Sequence, residues 1–292
     1  MEGEPLVSVI VPVWNEARRV GLCLDALAVQ TLGRDRYEVI VVDNGSTDGT
    51  GDVLAARDDI AHLTEPRAGS YAARNLGLAH ARGRWIAFTD GDCIPDPDWL
   101  DRALAAAQAD PDAGVIAGRI RLFEPEGEGS RACADWEQLF AFDVADTVRR
   151  GAAVTANWLS PRSAIDAAGG FDADARSGGD YKLARAIAAT GRRIVYAPDA
   201  VVAHPVRARL EEHVAKTRRI VGGRWSTEQR RPKAVWVMGL GVKDLVVCVA
   251  RALNARHLSL ARRLGVVRVS AILFWVWEAE VLRLVLGGER RR

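Results

Sequence analysis

The spacing of apolar residues divides the chain into two stretches of different character. Leu6 to Val13 (LVSVIVPV) is a β-branched run with almost no alternation, as expected of a strand covered on both faces. Glu16 to Gln30 then repeats apolar side chains at Val20, Leu24 and Leu27, a helical spacing. A strand over Tyr37 to Val42 follows, and Ser46-Thr-Asp-Gly-Thr50 opens a second helix through Ala55. Glu65 to Gly69 reads as loop, Tyr71 to Ala81 as an Ala-rich helix, Arg84 to Thr89 as a strand and Asp98 to Ala109 as a helix. Strand alternating with helix predicts an α/β fold with a mostly parallel sheet between helices.

Past Gly118 the pattern weakens. A strand over Val115 to Phe123, a Glu/Gly-rich loop over Glu124 to Gly129 and one helix from Arg131 to Arg149 are expected. Trp158 to Asp172 reads as loop and short helix stopped by Gly169-Gly170; a helix over Tyr181 to Thr190 and short strands over Arg193 to Tyr196 and Ala200 to Ala203 follow. After His204 the chain turns to basic, Trp-containing helices. The expected organisation is an α/β domain over 1–204 and a basic helical region over 205–292. There is no internal repeat.

Charge sharpens that division. Residues 1–204 carry 21 Lys and Arg against 31 Asp and Glu, and residues 205–292 carry 19 against 7, so −10 and +12 lie within a net charge of +2. A basic C-terminal region implies an anionic partner. Its two apolar stretches, Ala234 to Leu253 and Leu264 to Leu286, approach the roughly 20 residues of a bilayer span. Each is interrupted, the first by Lys243-Asp244 and the second by Arg268, Glu278, Glu280 and Arg283. With Trp236, Trp275 and Trp277 they suit the headgroup region of a membrane, or else a helical cap or homodimer interface. Nucleic acid is disfavoured, because the aromatics sit in apolar runs and no binding module is recognisable. The four cysteines are not closely paired, and Met1-Glu-Gly-Glu-Pro5 lacks the pattern of a leader. A cytoplasmic protein, peripheral on the cytoplasmic face of a membrane, is expected.

The candidate chemistry begins at Trp85-Ile-Ala-Phe-Thr-Asp-Gly-Asp92. Side chains two apart on an extended chain point the same way, so Asp90 and Asp92, flanking Gly91, face one point. Two hard oxygen ligands at a strand end suit Mg²⁺ or Mn²⁺ shared with substrate phosphates; a solvated Asp-Gly turn is the alternative. A second acidic strand end, Val39-Ile-Val-Val-Asp43, favours the site, since ligands of open α/β sheets gather at the carboxyl ends of strands.

Four segments in order resemble family 2 glycosyltransferases with the GT-A fold. They are Val9-Ile-Val-Pro-Val-Trp-Asn-Glu16, Val41-Val-Asp-Asn-Gly-Ser-Thr-Asp48, Ala73-Arg-Asn-Leu-Gly77 leading to Asp90-Gly-Asp92, and Gly169-Gly-Phe-Asp172 followed by Gly178-Gly-Asp180 and His204. The resemblance implies an inverting, metal-dependent enzyme that moves a sugar from a nucleoside-diphosphate donor, most often UDP-linked, to an acceptor hydroxyl. Pro12, Asn15 and Glu16 would lie along the nucleotide. Asp43 would accept a hydrogen bond from the base, or else form an Asx turn. Ser46 to Asp48 are expected to cap the following helix. Arg74 would approach phosphate or sugar, or else be a surface arginine. Asp92, Asp90 and His204 would hold Mn²⁺ or Mg²⁺, His204 being otherwise a packed imidazole. Asp180 would be the general base, or else a helix cap. The chain departs from the family's usual Glu-Asp pair here, having Gly179-Asp180, which leaves open what orients the base. Asn157 and Trp158 resemble the acceptor side, with core packing as the alternative for the indole; Trp14 and Trp99 read as packing residues. A lipid-linked or glycan acceptor is favoured by the basic helices. A nucleotidyltransferase and a non-catalytic nucleotide-sugar-binding scaffold at a membrane are the competing classes. The first lacks its Gly-rich phosphate loop in Val9 to Glu16, and a dehydrogenase lacks the G-x-G-x-x-G fingerprint.

Overall fold

A computed structural model describes residues 4–125, 127, 129–175 and 177–289. The expected leaderless start falls partly on Met1 to Gly3, and the Glu/Gly-rich loop partly on Glu126 and Glu128, which lie outside the described residues. In chain order the first elements are β1 (Val7–Val13), α1 (Val20–Ala28), β2 (Tyr37–Asp43), α2 (Thr50–Ala55), β3 (Ala61–Thr64), α3 (Ser70–His80), β4 (Trp85–Phe88), β5 (Ile94–Pro95), α4 (Trp99–Ala109) and β6 (Ala113–Phe123). They are followed by α5 (Arg131–Phe140), α6 (Val144–Arg149), β7 (Trp158–Pro161), α7 (Arg162–Ala168), α8 (Gly179–Ala189), β8 (Arg193–Pro205), α9 (Leu210–Thr227), α10 (Lys233–Asn254) and α11 (Leu260–Val285).

Eight strands form one sheet in the order β3-β2-β1-β4-β7-β6-β8-β5. The α/β class stands, with the parallel pairing concentrated in one half. β3, β2, β1 and β4 are parallel, whereas β7 runs antiparallel to β4 and β6, and β5 antiparallel to β8. The parallel half follows from its residues: every side chain of β1 is buried, which a β-branched run tolerates between two covered faces. Pro12 fits in this central strand because β4 pairs with β1 only as far as Ile10, so no ladder donor is missed there. Ile10, Leu24, Leu27, Ile40, Ile86, Phe88, Trp99, Leu100 and Trp158 fill the core.

The chain gathers into two compact units, one holding the residues up to Arg121 with Phe142–His204, the other Leu122–Ala141 with Pro205–Arg292. Residues 122–141, which the sequence reading assigned to the α/β domain, therefore cluster with the C-terminal helices. The single helix expected over 131–149 is two helices, broken where Phe142 takes a positive φ of 49°.

In the second unit α5, α9, α10 and α11 pack on apolar clusters around Val221, Val237, Trp277 and Val281, and around Val266, Ala252 and Leu258. Two buried acids of α5 anchor cations distant in sequence. Asp135 takes a two-pronged pair from Arg262, at 2.9 and 2.5 Å. Glu137, fully buried, receives Arg207 at 2.5 Å and Lys216 at 3.3 Å, with the His213 ring 3.5 Å away. Burial opposes its ionisation, yet Lys216, Arg207 and His213 outweigh it and hold the carboxyl below its ordinary range. Removing one partner of such a buried group strands the others, so Glu137→Ala is expected to cost about 3–5 kcal/mol, measured by urea unfolding. The wild-type contribution is present above the unfolded carboxyl pKa and lost as pH falls through the lower folded value, so the gap between the two proteins should close only in acid. Among the described residues no helix is long and apolar enough to cross a membrane.

Candidate active site

Parallel pairing aligns the carboxyl ends of the first strands. Val13 of β1 lies opposite Asp43 of β2, and Ile10 opposite Phe88 of β4, so the segments after all three strands emerge at one edge. The loop after β1 is tied to the loop after β2. Asn15, at a positive φ of 56°, has its N–H on Ser46 Oγ at 2.9 Å and its side-chain Oδ1 on the Thr47 N–H at 2.8 Å. The Glu16 N–H reaches Thr50 Oγ1 at 2.8 Å. Asp48 Oδ1 accepts from the Thr50 N–H at 3.1 Å, so the Ser46–Asp48 segment does tie down the first turn of α2. Asp43 is buried, and its Oδ1 accepts from both the N–H and the hydroxyl of Ser46 at 3.0 and 2.6 Å. That oxygen is thus committed to the turn named above as the alternative for this residue.

Asp90 and Asp92 stand beyond β4, and the β5–β8 register explains what joins them. Ile94 lies opposite Ala203, which brings His204 beside Cys93 and Asp92. Ligand atoms of Asp90, Asp92, Cys93 and His204 all fall within 4.8 Å of one another. His204 is buried and its Nε2 is 3.9 Å from Asp92 Oδ2. The Phe142 ring lies 4.7 Å from the imidazole, centroid to centroid. Gly91 gives the acids a close fit against β1, because a Cβ there would meet Val13 Cγ1 at 2.5 Å and force that side chain to move. Arg74, expected to approach a ligand or to lie at the surface, is only 4% exposed and donates to Asp90 Oδ1 at 2.5 Å. Among the described residues its Nε has no hydrogen-bond partner.

The acids crowd one another. Burial, then the charges of Asp92 and Asp90, push the Glu16 carboxyl up to about 8 against the opposing pull of Arg19. A divalent cation fits here: it would offset that concentration of negative charge, and the two carboxylates offer it hard oxygen ligands.

Asp180 opens α8, half-buried, with Oδ1 accepting from the Tyr181 N–H at 2.9 Å and the Tyr71 hydroxyl at 3.3 Å. Burial raises its carboxyl pKa, against the Tyr181 N–H and Arg74, with the Asp90 charge adding to the rise and the Tyr71 hydroxyl opposing it. Asn75 of α3 ties the Gly169-Gly-Phe-Asp172 segment in place, donating to Phe171 O at 2.8 Å and accepting from its N–H at 3.0 Å.

Two expectations fail. Asn157 and Trp158 do not face an acceptor. Asn157 is 1% exposed and its amide is used up inside the sheet, bonded to Arg119 O, Ala200 O and the Trp99 indole. Trp158 is fully buried, bonded to Ser160 and set edge-on against Phe88. A polar residue tying β6, β7 and β8 together carries the same sequence signature as a ligand contact. Trp14, read as packing, is about half exposed, whereas Trp99 is buried as expected. Tyr71, Cys93 and Phe142 stand beside these residues without any local sequence signal that marks them.

Residues 8–157 match the family described as glycosyl transferase family 2. Glycosyltransferase AglE of Haloferax volcanii is 34% identical over 209 residues, covering 70% of this chain and 68% of that protein. The pre-mycofactocin glycosyltransferase of Mycobacterium tuberculosis is 31% identical over 288 residues, covering 88% of this chain and 58% of its own length. Among solved structures, the mannosyltransferase PcManGT of Pyrobaculum calidifontis, in complex with GDP-Man and Mn²⁺, aligns with a TM-score of 0.57 and 23% identity over 97% of this chain and 86% of its own. S. aureus TarS 1–349 in complex with UDP gives the same TM-score at 16% identity, covering 98% and 93%. These structural likenesses support the fold.

Proposed function

The chain belongs to glycosyl transferase family 2, and from that membership and the site geometry we propose that it transfers a sugar, with inversion, from a nucleoside-diphosphate donor to an acceptor hydroxyl. The observation that carries the proposal is the meeting of Asp90, Asp92 and His204 at the carboxyl edge of the parallel strands.

Each residue then has a task. Pro12, Asn15 and Glu16 border the nucleotide, with Asp43 offering its second oxygen to the base. Asp92, Asp90 and His204 would hold Mn²⁺ or Mg²⁺. When bound, that cation supplies positive charge to the diphosphate as it leaves. Arg74 fixes Asp90. Asp180 accepts the hydroxyl proton of the acceptor as its oxygen bonds to the anomeric carbon and the bond from that carbon to phosphate breaks. One base and one displacement invert the centre. The acceptor we favour is a lipid-linked or membrane-proximal hydroxyl. Support for it lies in the second unit, where exposed Trp236, Val242, Val246 and Trp275 share helices with a strongly basic sequence.

A thermal-shift series with GDP-mannose, UDP-GlcNAc and other UDP- and dTDP-sugars, with and without Mn²⁺, tests the donor. A ligand at a hundred times its Kd stabilises by about 2.7 kcal/mol, so one donor class should raise Tm clearly, and only with the cation present. A flat response to every donor at millimolar concentration would defeat the proposal. A shift without release of nucleoside diphosphate, when acceptors are supplied, would favour a non-catalytic binder instead.

A further inference from the structure

We infer that Tyr71 is the positioning residue that aims the Asp180 carboxylate, filling the part left vacant by the glycine at 179. The inference rests on Asp180 being the base, as proposed above.

Three observations carry it. First, the Tyr71 ring and a side chain at 179 exclude each other. A Cβ on Gly179 would lie 2.7, 2.8 and 2.9 Å from Cε2, Cζ and Cδ2 of Tyr71. Second, the ring is braced by its neighbours and cannot yield cheaply. Tyr71 is 7% exposed and stacks on Phe171 at 5.5 Å and 19°. Phe171 is itself set edge-on against Phe88 and has its backbone gripped by Asn75 from both directions. Third, the hydroxyl at the end of this braced ring donates to Asp180 Oδ1, the oxygen that also takes the Tyr181 N–H. Among the described residues no hydrogen bond goes to Oδ2, which leaves that oxygen to receive a proton. A rigid phenol and a backbone amide on one oxygen fix the plane of the carboxylate and the direction of the other.

The phenol remains a donor through the working range, since burial and the Asp180 charge push its pKa up to about 12. The charged and titratable groups around Asp180 are Tyr71 and Arg74 of α3 and Asp90 beyond β4; on its own helix Lys182 is engaged with Asp172.

Tyr71→Phe separates positioning from packing, because it keeps the ring and removes only the hydroxyl. The full-length protein, labelled at aspartate carboxyl carbons, is titrated by NMR, with Asp180→Asn assigning the resonance. Loss of a hydrogen bond to the ionised form should move the Asp180 midpoint to higher pH while Tm holds. Nucleoside diphosphate release from the donor that binds should fall about five- to tenfold, the worth of one hydrogen bond, chiefly in kcat rather than in donor KM. An unchanged midpoint with unchanged kcat overturns the inference. The exchange Tyr71→Ala with Gly179→Glu offers the reciprocal check. It should recover turnover that Gly179→Glu alone loses, and failure to do better than the single variant counts against the replacement. If Asp180→Asn turns over normally, the assignment of the base has failed instead, whatever Tyr71 does.

Discussion

Asp180→Asn is expected to lower sugar transfer by about 10³-fold while donor and Mn²⁺ binding persist. General-base catalysis contributes about 10²–10⁴-fold, or roughly 3–5 kcal/mol of barrier at about 1.4 kcal/mol per tenfold. The substitution keeps size and leaves an oxygen able to accept from the Tyr181 N–H and the Tyr71 hydroxyl. Donor affinity should therefore change little and kcat should carry the loss. Product nucleoside diphosphate released per second, measured alongside calorimetric donor binding, separates the two. Turnover within about tenfold of the wild type, below the range a base supplies, would remove Asp180 from the chemistry.

As the proposed base, Asp180 should also set the pH dependence. Its carboxyl lies above the ordinary aspartate range, chiefly through burial. Only the ionised form can take a proton, so kcat/KM should fall as pH drops through that raised value. The acid limb should thus sit above the roughly 4 of an exposed aspartate. The stability sign is opposite to that of a salt-bridged acid. The folded state holds this proton more tightly than the unfolded chain does, so the ionised group costs stability above its folded pKa and nothing below its unfolded one. Asp180→Asn removes that cost, and Tm at pH 7 should stay level or rise. A fall in activity therefore cannot be assigned to unfolding.

How far the sequence speaks depends on what each segment buries. β1, β2 and β4 are legible because their side chains are enclosed on both faces and their residues are correspondingly apolar. β3 is nearly invisible: Ala61–Thr64 is a four-residue edge strand, largely exposed, so no hydrophobic run marks it. β5 and β7 are two and four residues long and each contains a proline, too short for any period to register. The register of β5 against β8 nevertheless places His204 beside Asp92, a juxtaposition that no local pattern carries. The acids at 43, 90 and 92 stand out because they follow apolar strand runs, whereas Asp180 is marked only through the resemblance, since an acid in the first turn of a helix is ordinary. Asn157 and Trp158 misled for the converse reason, since an interior amide that ties three strands is chemically the same residue as one that grips a sugar. Glu137 and Asp135 are silent because Arg207 and Arg262, the cations that tie them to distant helices, lie 70 and 127 positions further along the chain. Phe142 gives no sign of its left-handed backbone, as an aromatic side chain is among the poorer occupants of that region.

Asp92→Asn should produce the second large effect, loss of Mn²⁺ affinity by at least about tenfold and of transfer by about 10³-fold. The physical reason is the density of charge around one point. Asp92 lies 3.9 Å from the His204 imidazole, shares a cluster with Asp90, and contributes to pushing the Glu16 carboxyl up to about 8. Removing its charge takes away a hard oxygen ligand, and a divalent ion held by few protein ligands does not tolerate that loss. It also relieves repulsion among the remaining acids, so the variant should be no less stable than the parent. Donor-induced thermal stabilisation, expected to depend on Mn²⁺ in the wild type, should become weak and insensitive to the cation. Metal affinity read by electron paramagnetic resonance of free Mn²⁺ does not depend on turnover, which matters because a catalytic defect alone could arise from a shifted Arg74–Asp90 pair. Asp90→Asn supplies the contrast: Asp90 already has one oxygen engaged by a buried guanidinium, so its loss should weaken the ion less than the loss of Asp92 and leave Arg74 without its carboxylate. If both variants bound Mn²⁺ as the wild type does, the acids would be holding the strand ends together through Arg74 rather than a cation. The diphosphate would then have to find its positive charge elsewhere.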